Sequence, residues 1–515
     1  MKPFIYDFKR AFIRKATLTA LILFIMAGVG LTYMVAQSML AGSQRLLYNG
    51  VAVAELDAES RVLRVNIGLY DNELKPLSPS FTATLELGNT WLLLGRYSIE
   101  GTGPLEIPLP ESPVPLTGYR IIPLTLNVTA MHVGSVEVKE TITMRLTQSS
   151  SNASRYYGCE AIGAHAFSWI HPASSLEVCG SIIPAGGKLY VVMAAAGEFQ
   201  GELSLYYSIK ESNYSYTYWE SRGPMVSNIS GMSYLGTIRE ALKTYVYEAA
   251  VDPKLLESSR PVEIRLALLS REGEILGGLE ISMGLTNPAV EAITEFVAGT
   301  GVGLFSGFFP IVVLYLGYVL IAKPKTQGAL EFILARPITR RDLYLTRYAA
   351  GVLVALAAPA VFTIALYTGV YSTLRVALNP LDALLIYLGL AASLAGFYTL
   401  CYYIAVEARG ASYLAITITL YLLYLIGFQI LGFMIAFTVG HSIEDYLKLT
   451  YKLYYLSPMR LADLVTALVL YRHGYLGAAV LEVVKPEYIA VATAAWIIVP
   501  FTAGLVRFKR KNLAG

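Results

Sequence analysis

Charge is scarce in this chain. Asp, Glu, Lys and Arg make up 15% of its 515 residues, where soluble domains average about 25%. With 55% hydrophobic residues and a mean hydropathy of +0.52, an ordinary soluble fold is excluded and a membrane protein is indicated. The net charge of +3 is too small to call for nucleic acid. Three cysteines are too few for a disulfide-dense scaffold. No G-x-x-x-x-G-K-[ST] is present, and the glycine-rich "GTGVGLFSG" (Gly299–Gly307) has no lysine, so the chain has no loop to cradle ATP phosphates. There is no G-x-S-x-G and no H-E-x-x-H, and the five histidines are scattered. No enzyme chemistry and no metal site are expected.

What is present is six long runs without Asp, Glu, Lys, Arg or His. A helix needs about 20 apolar residues to cross a bilayer. The candidate spans are 16–43, 296–322, 349–374, 383–406, 411–439 and 488–506. Pro310, Pro359 and Pro500 fall inside spans, where a kink is the plain reading.

Lys and Arg in short loops set orientation. An amphipathic arm, 1–15, carries Lys2, Lys9, Arg10, Arg14 and Lys15. The 323–348 loop carries Lys323, Lys325, Arg336, Arg340, Arg341 and Arg347, and the basic tail 507–515 adds four more. Six spans put all three on one side, the cytoplasm. The plasma membrane is the expected location, with both termini cytoplasmic and 41–295 outside. The sequons at Asn127, Asn152, Asn213 and Asn228 all lie in that outside segment, as candidate N-glycosylation acceptors. So do Cys159 and Cys179, which are expected to be bonded in an oxidising compartment. Two buried thiols, or a metal site with His165 or His171, are the alternatives, and no ligand spacing supports the latter.

Residues 46–290 alternate apolar and polar residues in stretches such as "TLNVTAMHVGSVEVKETITMRLTQ", with Gly, Pro, Asn and Ser between them. This period of two predicts strands, and their spacing predicts β-sandwiches. The serine-rich "QSSSNAS" (Gln148–Ser154) divides the segment into expected subdomains at 46–147 and 155–290, or is a loop in one larger domain. Glu160 in "YYGCEAIGAHAFSWIHP" is read as part of an ordered loop, not a catalytic group. The stretch 440–487 predicts amphipathic or re-entrant helices on the outer side, with His441, Glu444 and Asp445 at a helix start that favours acidic charge.

Between spans two and three lies "GALEFILARPITRRDLYLTRY", Gly328–Tyr348. Ala329, Leu330, Ile333 and Leu334 form an apolar stripe at helical spacing that can rest on membrane lipids. Pro337 ends that helix, and Thr339 to Asp342 reads as a capping box that starts the next. A loop that only fixes topology needs no such helix, break and helix. A docking element needs charges held at fixed positions.

This stretch resembles the first cytoplasmic loop of ABC-2-type transporter permeases: Gly328, Glu331, Leu334, Arg336, Pro337, Thr339, Arg340 and Arg347 match that pattern. "YYLSPMRLADLV" is similar to the family's Ser-Pro segment, and "FIYDFKRAFIRK" to its N-terminal elbow helix. The resemblance implies an α-helical membrane protein with six transmembrane helices (ABC-2, type V exporter-like), here with a large all-β extracytoplasmic domain between helices 1 and 2. It implies that 323–348 forms the ATPase-coupling helix, with Arg341 and Asp342 beside the matched residues. ATP and Mg would sit on a partner ATPase in two copies, with no cofactor on this chain. The permease would be a homodimer, or a heterodimer with a related chain. Spans without charge suit amphipathic or hydrophobic cargo for export. The rivals are a secondary transporter, which would show ionisable residues in its spans, and a multi-span cell-surface binding protein, for which one span would suffice.

Overall fold

The computed structural model describes residues 13, 15–42, 44–99, 103–111, 115–171, 176–199, 201–211, 226, 228–257, 262–330, 338–439, 443–473, 476 and 478–510. The chain divides into two compact units, one of Ala36–Glu291 with Val370–Val376 and one of the remainder. Nearly all of the expected elbow helix, and the tail beyond Arg510, lie outside the described residues.

The first unit is built of β-strands. Its first sheet contains β1 (Tyr48–Asp57), β2 (Val62–Asp71), β3 (Pro76–Leu77), β4 (Ser80–Leu87), β5 (Thr90–Ser98), β6 (Leu105–Pro108), β7 (Ile121–Val133), β8 (Val136–Gln148) and β9 (Arg155–Ile162). The strand order is β3-β2-β1-β9-β8-β7-β4-β5, with β6 also on β2. A second sheet runs β10-β11-β12-β15, from Ala166–His171, Leu176–Ala185, Lys188–Ala196 and Thr244–Ala249. A third runs β14-β13-β16-β17, from Ser233–Ile238, Leu203–Glu211, Val262–Leu269 and Ile275–Met283.

The expected boundary at Gln148–Ser154 is not there. Strand β9 follows it and pairs with both β1 and β8, so the serine-rich stretch is a loop within the first sheet. The layering explains why. Leu176, Val178, Ile182, Val191 and Met193 pack toward the third sheet. Cys179, Ile183, Val192 and Ala194 pack toward Val51, Val53 and Tyr157 of the first. The central strands of the middle sheet, β11 and β12, are therefore buried on both faces. Such strands read as continuous apolar runs without alternation, which is the character of "LYVVMAAA". Cys159 on β9 and Cys179 on β11 are bonded, with Cα atoms 5.7 Å apart, and so tie the first layer to the second.

The second unit is helical. Its apolar helices are α1 (Lys15–Gly42), whose last residues belong to the β unit, α2 (Ser306–Thr326), α3 (Arg340–Leu374), α4 (Pro380–Glu407), α5 (Gly410–Leu422, through a π-helical turn into Phe428–Val439) and, after two further helices of which the first is amphipathic, α8 (Pro486–Arg510). Between α5 and α8 come α6 (Ile443–Tyr454) and α7 (Leu461–Arg472), bent by 118° at Ser457–Pro458. Among the described residues six helices are long and apolar enough to cross a membrane, or up to seven if the bent pair is one span. His441 lies outside the described residues, while Glu444 and Asp445 fall in the first turn of α6.

The last turn of α3 belongs to the β unit. The tip of the β7–β8 hairpin meets it: Ser135 N donates to Thr373 O at 3.1 Å. Gly134 has φ +60°, and a Cβ there would lie 2.4 Å from that same carbonyl. Only glycine both turns this hairpin and lets it close over the helix end.

A disulfide closing a 20-residue separation stabilises by about 3 kcal/mol in the chain-entropy account. Labelling the denatured, unreduced protein with a thiol reagent is expected to modify Cys401 alone. Reaction at Cys159 or Cys179 would refute the bond.

Candidate functional site

The candidate site is the connection from α2 to α3. Glu331, Leu334, Arg336 and Pro337 lie outside the described residues, so its first half is defined by its base. Gly328 has φ +68° and ends the helical run, its amide donating to Lys325 O at 3.3 Å. Thr339 opens α3: its Oγ1 accepts from Asp342 N at 3.1 Å and donates to Asp342 Oδ2 at 2.7 Å. This satisfies one of the amides that a helix start leaves without an intrahelical partner. Arg341 and Asp342 are exposed.

The other two arginines bond backbone carbonyls of their own chain. Arg340 Nη1 donates to Lys509 O at 3.2 Å, on the last turn of α8. Arg347 Nη1 donates to the carbonyl of Leu320 on α2. Sequence explains that acceptor: the amide that would serve it in an α-helix is at residue 324, which is proline and has no N–H. One residue further, the buried Lys325 Nζ donates to Val406 O at 2.5 Å, Ala408 O at 3.3 Å and Glu407 O at 3.4 Å. It caps the C-terminus of α4, where cations are favoured. The loop from 327 to 339 thus leaves from and returns to helices cross-tied at its base.

Tyrosines complete the frame. Tyr398 OH donates to Arg347 O at 3.3 Å, Tyr344 OH to Phe501 O at 2.9 Å and Tyr413 OH to Leu314 O at 2.7 Å. Three or four residues beyond each acceptor stands a glycine: Gly351, Gly504 and Gly317. Helical side chains lean toward the N-terminus and cover the preceding turn, so a side chain there would hide the carbonyl. A Cβ on Gly351 would sit 2.0 Å from Tyr398 OH, on Gly504 2.6 Å from Tyr344 OH and on Gly317 2.4 Å from Tyr413 OH.

A second polar cluster sits at the start of α4. The buried Asp382 accepts from Arg472 Nη1 at 2.7 Å and contacts His473 Nε2 at 2.8 Å, both at the end of α7. About ninety residues separate these partners in sequence, so spacing gave no sign of them. Among the described residues no group of acids, histidines and cysteines could hold a metal ion.

In the β unit the groups near the disulfide are structural. His165 is buried, which holds its imidazole down at about 4. Burial raises the Glu160 carboxyl, opposed by the charge of Arg45. His171 is the last residue of β10. Of the sequons, Asn228 is exposed and accepts from Ser230 N at 2.8 Å. Asn152 accepts from Ser154 N, and Asn127 accepts from Thr141 Oγ1 across β7 and β8. Asn213 lies outside the described residues.

A family model described as ABC-2 family transporter protein matches residues 7–513, nearly the whole chain. No curated protein matches it.

Gly351→Ala is expected to push Tyr398 from its carbonyl and to cost about 1–3 kcal/mol, the usual range for an overpacked site. Thermal unfolding in detergent reads the loss. In a double-mutant cycle with Tyr398→Ala the losses should fall short of additive, because the hydroxyl, Cζ and Cε2 of that ring, at 2.0, 2.1 and 2.6 Å, are the colliding atoms; strictly additive losses would refute the pairing.

Proposed function

The chain belongs to the ABC-2 transporter family, as a multi-pass membrane subunit of an ABC transporter that works with an ATPase partner, and on that premise we propose that Gly328–Tyr348 is where the ATPase docks. The observation that carries this reading is the division of charge at the loop. Arg340 and Arg347 are engaged with backbone of their own chain, while Arg341 stands exposed beside the Thr339 cap. Docking needs charges on a base that does not yield, and the ties through Lys325, Arg347 and Tyr398 supply one.

In this reading the loop, both termini and the basic arm and tail face the cytoplasm, and 41–295 lies outside. The complex holds two permease chains, alike or related, and two ATPases that bind ATP and Mg. It exports an amphipathic or hydrophobic substrate, because the six helices present Tyr, Gly and Ala rather than charge along their middle stretches. The outside segment then carries the sequons Asn127, Asn152, Asn213 and Asn228.

Reversing a docking charge should weaken association without unfolding the chain. Glu331→Lys and Arg341→Glu are each expected to lower co-purification of the ATPase by roughly 30-fold or more, from the 2–5 kcal/mol typical of a lost buried charge pair. Lys325→Met and Arg347→Gln should instead lower thermal stability of the permease itself, by about 1–3 kcal/mol for carbonyls left bare. Full retention of the ATPase by both reversed chains would refute docking here.

The permease alone is expected to bind no nucleotide, since it has no phosphate-binding loop. Saturable ATP binding to the purified chain, measured by calorimetry, would contradict its assignment as the non-catalytic subunit.

A further inference from the structure

The described helices contain three π-helical turns: Phe296–Gly301, Tyr318–Ala322 and Leu423–Gly427. A π turn is an α-helix holding one residue too many, with amides reaching back five positions. Lys323 N–H reaches Tyr318 O in the second, and Phe428 N–H reaches Leu423 O in the third. In both, the third carbonyl of the turn also accepts a hydrogen bond from an arginine on another element. Arg347 donates to Leu320 O, and Arg460 Nη2 donates to Leu425 O at 3.0 Å.

Both arginines are themselves held. The carbonyl of Arg347 takes the Tyr398 hydroxyl. Arg460 is nearly buried, bonds Asp463 Oδ2 at 2.9 Å through Nη1, and lies over the Tyr454 ring at 5.4 Å. Arg347 lies two turns into α3, and Arg460 follows the 118° bend between α6 and α7.

We propose that Arg347 and Arg460 are positioning residues that hold two register joints in the helical unit. Relaxing a π turn to α without losing a residue would push the rest of the helix out by about 1.5 Å and rotate it by about 100°. The third carbonyl would then turn away from the guanidinium. The arginine bond and the π register therefore stand or fall together. Resting on the transport reading, the joint on α2 registers the docking loop and the joint on α5 registers the α6–α7 bend.

Hydrogen–deuterium exchange on the full chain in micelles tests this without any ATPase. Arg460→Gln should speed exchange at 424–430 by roughly 10- to 100-fold, the range set by one charge-assisted hydrogen bond, and leave 318–326 unchanged. Arg347→Gln should do the reverse, and Arg460→Lys should fall between. No local change, or an equal rise in every helix, overturns the proposal. Deleting Ile426 should convert the α5 turn to α-helix, and Arg460→Gln should then add nothing at 424–430. A further rise in that background also overturns it, and if the deleted chain does not fold, the substitutions in the intact chain decide alone. In the complex, Arg460→Gln should keep the ATPase bound while its turnover falls about tenfold or more, as expected of a conformational step. Unchanged turnover would reduce Arg460 to a merely structural role. Loss of the ATPase from every chain, wild type included, would sink the transport reading and leave the exchange result standing.

Discussion

A carbonyl freed inside a helical bundle must find a donor, because no water is there to supply one. Most of the polar architecture of the helical unit answers that constraint. Pro324 withholds an amide, and Arg347 serves the Leu320 carbonyl. Gly351 uncovers the carbonyl of Arg347, and Tyr398 serves it. The end of α4 presents three carbonyls in succession, and Lys325 serves them together. Packing follows from these bonds: a tyrosine whose hydroxyl rests where a Cβ would be draws the two helix axes close, with small residues at the crossing as membrane helices favour.

The β unit obeys a different constraint. Its central strands β11 and β12 are buried on both faces, so they are largely apolar and their backbone must pair sideways with its neighbours. That leaves little polar chemistry in the layer. In the first sheet the buried Glu140 takes Arg45 and the Tyr48 hydroxyl, fixing the start of β1 against β8. The Cys159–Cys179 bond crosses the same interface as the core formed by Val51, Val53 and Ala194, so covalent and apolar ties reinforce one junction.

The sequence showed the apolar helices because charge is absent over whole spans, and absence is a signal that needs no partner. It showed β7 and β8 because one face of those strands is exposed, which makes them alternate strictly. The doubly buried β11 and β12 do not alternate, and the reading by period passed over them; a continuous apolar run bounded by glycines was the available sign. At the loop the Thr339 cap was legible, since its two partners are three residues apart. The roles of Arg340 and Arg347 were not. A motif marks a position as basic, but whether that charge faces outward or meets a carbonyl depends on helices that return from residues 320 and 509. Asp382 with Arg472 and His473 lay beyond reach for the same reason.

The basic residues around the loop are therefore not one pool. Counting Lys and Arg gives orientation, because insertion responds to their number near a span. In the docking reading, what counts is how many are left after the frame has taken its share. Lys325 is consumed at the end of α4, Arg347 at α2 and Arg340 at α8, while Arg507 lies 3.7 Å from Glu407. Arg341 stays on the surface. For Lys325 and Arg347, whose bonds to carbonyls are buried or part-buried, a charge-assisted bond is worth more than an exposed ion pair, so the frame holds there the charges that energy favours. Those that remain are exposed because no helix claims them, and these are the charges a partner can meet without first breaking the fold.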